Sequence, residues 1–212
     1  MGIINLGLLS PVSGKVGPLV GANFRGLNVL RAKPKKSQKA PSPLQLDQRM
    51  RFSLAVTFIS AMKSIVKDYY GNKAGVRSKL NRCVSYHAKE AITGVYPNLA
   101  IDFDKVIFTK GELENSNAHM ANEVRHKIDI NWANNEGTGF SKGSDRTIVV
   151  LYNADQKKFV WQLSTVERSV ETIQIELPNS YNGDVIHGWI SFCSADQQMV
   201  ATSNYLGSIT LS

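Results

Sequence analysis

The groups suited to chemistry in this 212-residue chain are two cysteines, four histidines and a few close carboxylate pairs. Cys83 and His87 stand four residues apart, one turn on a helix, a spacing that suits a thiol and its activating base. A nucleophile needs a cleft in front of it. Leu80, Val84, Ala88 and Ala91 instead mark the inner side of that helix, so packing is expected. His119, His126 and His187 have no His-x3-His spacing, and a zinc site needs three or four ligands. His126 and His187 fall inside strand-like runs, where hydrogen-bonded sheet histidines are expected. Asp102 with Asp104, and Glu112 with Glu114, are close enough to suggest glycosidase-type acid–base work. Both pairs flank the apolar run 106–108, where solvated turns and strand ends are expected. Trp132, Trp161 and Trp189 would form a sugar-binding platform only on an exposed sheet face, and their alternation with polar residues places most aromatics in the core. Ser13-Gly14-Lys15 has part of a phosphate loop, which needs Gly-x4-Gly-Lys-Ser/Thr between a strand and a helix. Here Gly7 lies seven residues before Gly14, Val16 replaces the hydroxyl, and Gly17-Pro18 stands where a helix should begin. No catalytic residue, cofactor or metal is expected, and the chain reads as a non-enzyme.

Charge is the stronger signal. Up to Arg51 there are nine Lys/Arg against one acid, Asp47, which gives +8; the other 161 residues balance 16 against 16. Residues 1–41 read as a basic, Gly-punctuated arm ahead of a neutral body. Gly2, Gly7, Gly14, Gly17, Gly21 and Gly26 are too frequent for a helix, where each costs about 1 kcal/mol. Between them lie Ile3, Ile4, Leu8, Leu9, Leu19, Val20, Leu27 and Leu30, more apolar material than a disordered tail holds. These are the expected contacts of an assembly arm laid over a neighbouring subunit. A competing reading assigns Lys15, Arg25, Arg31, Lys33, Lys35, Lys36 and Lys39 to nucleic acid or another polyanion. Phe24 is the arm's one aromatic, so stacking on single strands has little support. The plain reading of the run 33–39 is a solvated linker.

The elements that position these groups follow. Ser42-Pro43-Leu44-Gln45 is a capping-box helix start. Leu46, Met50, Leu54, Phe58, Met62, Ile65, Val66 and Tyr69 keep one apolar face, predicting a single helix to about Tyr70, roughly 40 Å long. A second helix is expected over 76–93, stopped by Gly94. From Pro97 the period becomes two. Val124, His126, Ile128, Ile130 and Trp132 alternate with polar residues in one long strand. Further strands are expected at 105–110, 146–152, 158–163, 170–177, 184–194 and 199–211. The fold class is α+β: an extended N-terminal arm (1–41), two helices (42–96), then a mostly antiparallel seven-strand β-sandwich of immunoglobulin-like architecture (97–212). Cys83 lies on a helix, so the Cys–Trp–Cys signature of true immunoglobulin domains is missing.

Composition is that of an ordinary globular protein of one or two domains, 42% apolar and 20% charged. No apolar run approaches the roughly 18 residues of a membrane span. The start lacks the basic residues of a secretory signal, and Leu6 stands where a myristoylation motif has Ser or Thr. Two cysteines make no disulfide framework, and free buried thiols are expected. The expected location is the cytoplasm, including assemblies that later leave the cell.

Several stretches resemble a family of Bacteroidetes proteins with no established activity. They are Ser13-Gly14-Lys15-Val16-Gly17, Phe24-Arg25-Gly26, Leu30-Arg31-Ala32-Lys33-Pro34-Lys35-Lys36-Ser37, Leu46-Asp47-Gln48-Arg49, Gly183-Asp184-Val185-Ile186-His187, Ser194-Ala195-Asp196 and Ser203-Asn204-Tyr205-Leu206-Gly207. The resemblance spans nearly the whole chain. It implies a cytoplasmic bacterial or phage context and supplies no catalytic residue or cofactor. The function expected is a structural, self-assembling subunit of virion, tube or filament type, forming homo-oligomers through its arm; the alternative is a nucleic-acid- or polyanion-binding module.

Overall fold

The computed structural model describes residues 2–3, 12–24, 26–35, 39–71 and 77–211. They form two compact units, Met1–Ser42 and Pro43–Ser212.

The first unit is not an extended arm in its described residues. Strands β1 (Gly2–Ile3), β2 (Gly14–Val16), β3 (Leu19–Phe24) and β4 (Leu27–Ala32) pair antiparallel in the order β1-β4-β3-β2. Two-residue turns need positive φ, and glycine supplies it twice. Gly17 (φ 57°) lies between paired Val16 and Leu19, and Gly26 (φ 84°) between paired Phe24 and Leu27. The same glycines that exclude a helix thus close hairpins.

In the second unit, α1 (Pro43–Ser60) begins at Pro43 as expected, but the single long helix is broken before α2 (Lys63–Tyr69). The Ser60 hydroxyl donates to the Val56 carbonyl at 2.6 Å, and the Met62 N–H turns back three residues to Ile59. These bonds tighten the last turn and end the α-helical ladder. Helix α3 (Lys79–Glu90) is capped by Ser78, whose side chain accepts from the Asn81 N–H. The expected start at Val76 lies outside the described residues. The helix stops before Gly94, because β5 (Ile92–Val95) and β6 (Asn98–Ile101) form a hairpin. Gly94, at φ 91°, sits inside it, and any Cβ there would collide with the Asn98 carbonyl.

Two strand expectations are also corrected. The run 105–110 makes no regular strand: after a 3-10 turn at Phe103–Lys105, the Ile107 and Phe108 N–H groups donate to the His87 ring and the Ser203 hydroxyl. The long strand through Val124 is a hairpin of β7 (Ala118–Val124) and β8 (Lys127–Trp132), turning at Arg125-His126 with His126 at φ 59°.

The remaining strands are β9 (Arg146–Asn153), β10 (Lys158–Glu167), β11 (Thr172–Glu176), β12 (Val185–Cys193) and β13 (Asn204–Thr210). They build an antiparallel four-stranded sheet, β10-β9-β12-β13, and a three-stranded sheet, β11-β8-β7. Ile128, Ile130, Ile173 and Ile175 share one core with Val149, Leu151, Ile190 and Phe192, so the pair of sheets is sandwich-like. Gly188 leaves room for the Met120 sulfur, which a Cβ would approach to 2.8 Å. A second core joins Val150, Tyr152 and Trp189 to Phe58, Ile59, Met62 and Ile65 of the helices. The helices therefore form a third layer on the four-stranded sheet. Among the described residues no helix is long and apolar enough to cross a membrane.

Candidate interaction surface

The pairing register of the N-terminal sheet sorts its side chains. Val20, Ala22 and Phe24 lie opposite Arg31, Val29 and Leu27, with Ile3 beside Val29 and Lys15 beside Val20. These residues share one face. Val29 is buried and Val20 half-buried, but Ile3, Phe24 and Leu27 are 59%, 57% and 49% exposed. The other face carries Val16, Leu19 and Leu30, with Asn23 donating to Asn28 at 3.1 Å. Val12 lies against Gly21 there, where a Cβ would collide with its carbonyl. Lys15 and Arg31 flank Val20 in one cross-strand row, and Lys33, Lys35 and Lys39 follow, all exposed. Residues 1–42 hold seven Lys/Arg and no acid. Of the expected contacts, Ile4, Leu8, Leu9, Arg25 and Lys36 lie outside the described residues. Phe24, expected only as the arm's one aromatic, also belongs to this sheet. The signal was there in Phe24-Arg25-Gly26-Leu27, an apolar pair bracketing a Gly turn.

The chemistry candidates are held in quieter settings. Cys83 and His87 are both buried, with Sγ 3.5 Å from Nδ1. His87 Nε2 accepts from the Ile107 N–H, so its proton sits on Nδ1, which donates to the Cys83 carbonyl at 2.8 Å. Burial pulls the His87 pKa down to about 4 and pushes the thiol up, so neither ion of a reactive pair is favoured. Asp102 pairs with Lys105 at 3.0 Å, and Glu114 is occupied by loop N–H donors, which hold its carboxyl below the usual range. His119 is exposed. Among the described residues no three His, Cys, Asp or Glu converge as a metal site.

His187 has a partner that its own strand run does not reveal. Its Nδ1 lies 2.6 Å from the Tyr205 hydroxyl, and its ring stacks on Phe103 at 3.9 Å. Tyr205 and Asp104 line a polar cleft of about 570 Å³ with Ser116 and Asn204. Burial lowers the His187 pKa and raises that of Tyr205, which favours a neutral hydrogen-bonded pair.

A buried ion pair was equally hidden. Arg168, fully buried, donates from Nε to Asp145 at 3.2 Å, from an Nη to Asn135, and from the other to the Glu114 carbonyl. Its guanidinium lies 3.9 Å from the Phe192 ring centre. Asp145 also accepts from the Lys142 N–H, and Glu114 from the Phe140 N–H, both at 2.9 Å. This network holds the loop 133–145 between β8 and β9.

Residues 11–207 match a family of unknown function, DUF6266. The chain belongs to this family. The DUF6266 match runs from the N-terminal sheet into β13 and so includes both units. No curated protein matches the chain. Among solved structures it is similar to the fn3 domain of human collagen alpha-1(XX) chain, at 10% identity and a TM-score of 0.36. The alignment covers 49% of this chain and 89% of that one.

Proposed function

We propose that this DUF6266 protein is a structural, self-assembling subunit of virion, tube or filament type, whose N-terminal unit clasps a neighbouring copy. The observation that carries this reading is the sheet face with Ile3, Phe24 and Leu27 exposed together. Burying such side chains contributes roughly 1.5–3 kcal/mol each. The body, an immunoglobulin-like seven-strand sandwich with a helical layer, serves as the building block. A bacterial or phage protein of Bacteroidetes type, made and kept in the cytoplasm, suits the reading.

Light scattering on the full chain and on a version starting at Ser42 tests it. The full chain should be a homo-oligomer and the shortened one a folded monomer. A strictly monomeric full chain at tens of micromolar, or normal assembly without residues 1–41, defeats the proposal.

The absence of acids from residues 1–42 favours a second reading, polyanion binding through Lys15, Arg25, Arg31, Lys33, Lys35, Lys36 and Lys39. About six phosphate contacts on duplex DNA would give a log–log salt slope near −5. No binding at about 50 mM salt removes this alternative.

A further inference from the structure

The proposed clasp needs a receiving surface on the neighbouring copy, and charge separates the candidates. The N-terminal sheet offers a face that is apolar at one end and basic at the other. Leu27, Val29 and Arg31 follow one another along it, and Lys15 and Arg31 stand on either side of Val20. Two such units would meet as like charge, with seven cations and no acid in each. A contact through the body's exposed aromatics, Tyr96, Phe140 or Trp161, would survive the loss of residues 1–41. A clasp that is lost with those residues therefore sets the N-terminal unit of one copy on the body of another.

Cavities of the body differ in charge. The groove between α1 and α3, about 790 Å³, is lined by Arg51 and Lys89 and by no acid; Arg51 is already held by Asp47 at 2.9 Å and by the Ile92 and Gly94 carbonyls. A second cleft, about 500 Å³, sets Lys79, Arg82 and Lys110 against Asp68 and Glu112. Neither lining attracts a cation. The polar cleft beside Tyr205, about 570 Å³, has Asp104 as its one charged lining residue among the described residues. The Asp104 carboxylate is exposed and has no ion-pair partner among the described residues; Lys105, next in sequence, is taken by Asp102 at 3.0 Å. The amides of Asn117 and Asn204, also exposed, make no side-chain hydrogen bond among the described residues. His187, packed on Tyr205 and kept neutral by burial, adds no opposing charge. Ile107, Tyr205 and Leu206, all half-buried, give the cleft an apolar wall. A guanidinium matches this set better than an ammonium. Its planar fork donates to both oxygens of a carboxylate, has donors left for amide carbonyls, and stacks on aromatic rings.

We infer that Arg31 of one copy seats in the Asp104 cleft of a neighbouring copy and pairs with that carboxylate. This pairing rests on the clasp proposed above and gives it a defined acceptor. Donor and acceptor surfaces differ, so each copy both gives and receives: two copies can exchange N-terminal units, or the contact can propagate into a ring or a filament.

The test is a pair of charge reversals in the full chain, Arg31→Asp and Asp104→Arg. Both positions are exposed, so each variant should stay folded, which thermal unfolding checks. Alone, each variant sets like charges face to face and should raise the dissociation constant of the assembly about tenfold or more by light scattering at low salt. Mixed in equal amounts, the two variants again give every contact an acid and a cation, in alternation between copies, and the mass should return. A contact within one copy gives no such rescue. The milder Asp104→Asn and Arg31→Gln should each weaken assembly, and together by less than the sum of the two. Assembly unmoved by either reversal, assembly not regained on mixing, or additive effects of the milder pair overturn the pairing, while the unaltered chain still assembles and the clasp stands. A monomeric unaltered chain removes both.

Discussion

Strand β9 and the β3–β4 hairpin are both antiparallel and apolar, yet they end in opposite surroundings. In Arg146–Asn153 every residue after the first is buried, because helices cover one face of its sheet and β7, β8 and β11 the other. In Leu19–Phe24 and Leu27–Ala32 the buried residues are Gly21 and Val29. The strands differ less in composition than in how many layers cover them. Strand β9 is buried on both faces within the body, whereas Ile3, Phe24 and Leu27 of the N-terminal sheet remain exposed.

The comparison breaks first at the ion pair. Asp145→Ala should destabilise the body by about 3–5 kcal/mol, because it strands a buried guanidinium. Urea unfolding should show the loss, and an unchanged midpoint would mean the loop network is not structural. Acid is next. Above about pH 6.5 His87 is neutral folded and unfolded; between 6.5 and 4 only the unfolded chain takes the proton, so stability falls by about 3 kcal/mol as pH drops. His187, also lowered, adds in the same direction. His87→Gln should flatten the pH dependence of unfolding over that window. Ser78→Ala removes the α3 cap and should cost about 1 kcal/mol by thermal melting. Smallest is the double change Phe24→Ser with Leu27→Ser. It should move the body's unfolding by less than about 0.5 kcal/mol while lowering the mass seen by light scattering. A large loss of body stability would erase the distinction between the units.

Much of the body was legible because its strands advertise themselves. Ile128, Ile130 and Trp132 alternate with Lys127, Asp129 and Asn131, and the burial follows that pattern. What failed was local competition. Ser60 hydrogen-bonds its own helix, His126 adopts a left-handed turn inside an unbroken alternation, and His87 and Ser203 satisfy backbone groups that a ladder would otherwise claim. Each outcome depends on contacts outside a periodicity window. The candidate surface was half legible. Lys15, Leu19, Val20, Leu27 and Arg31 were singled out by charge and apolarity, but their division between two faces depends on pairing across strands. Arg168 carried no signal, since a buried arginine and a surface one look alike in sequence until Asp145 and Phe192 are brought to it.

Strand β9 also bears on how the body comes apart. Val149 and Leu151 belong to the core between the sheets; Val150 and Tyr152, the residues between and beyond them, belong to the core beneath the helices. Detaching the helical layer would bare alternate side chains of a strand whose other side chains still fasten the opposite sheet. Neither core can be dissolved by itself without spoiling the strand both share. The body should accordingly melt once, with calorimetric and van't Hoff enthalpies in agreement and helical and near-ultraviolet signals lost at the same temperature.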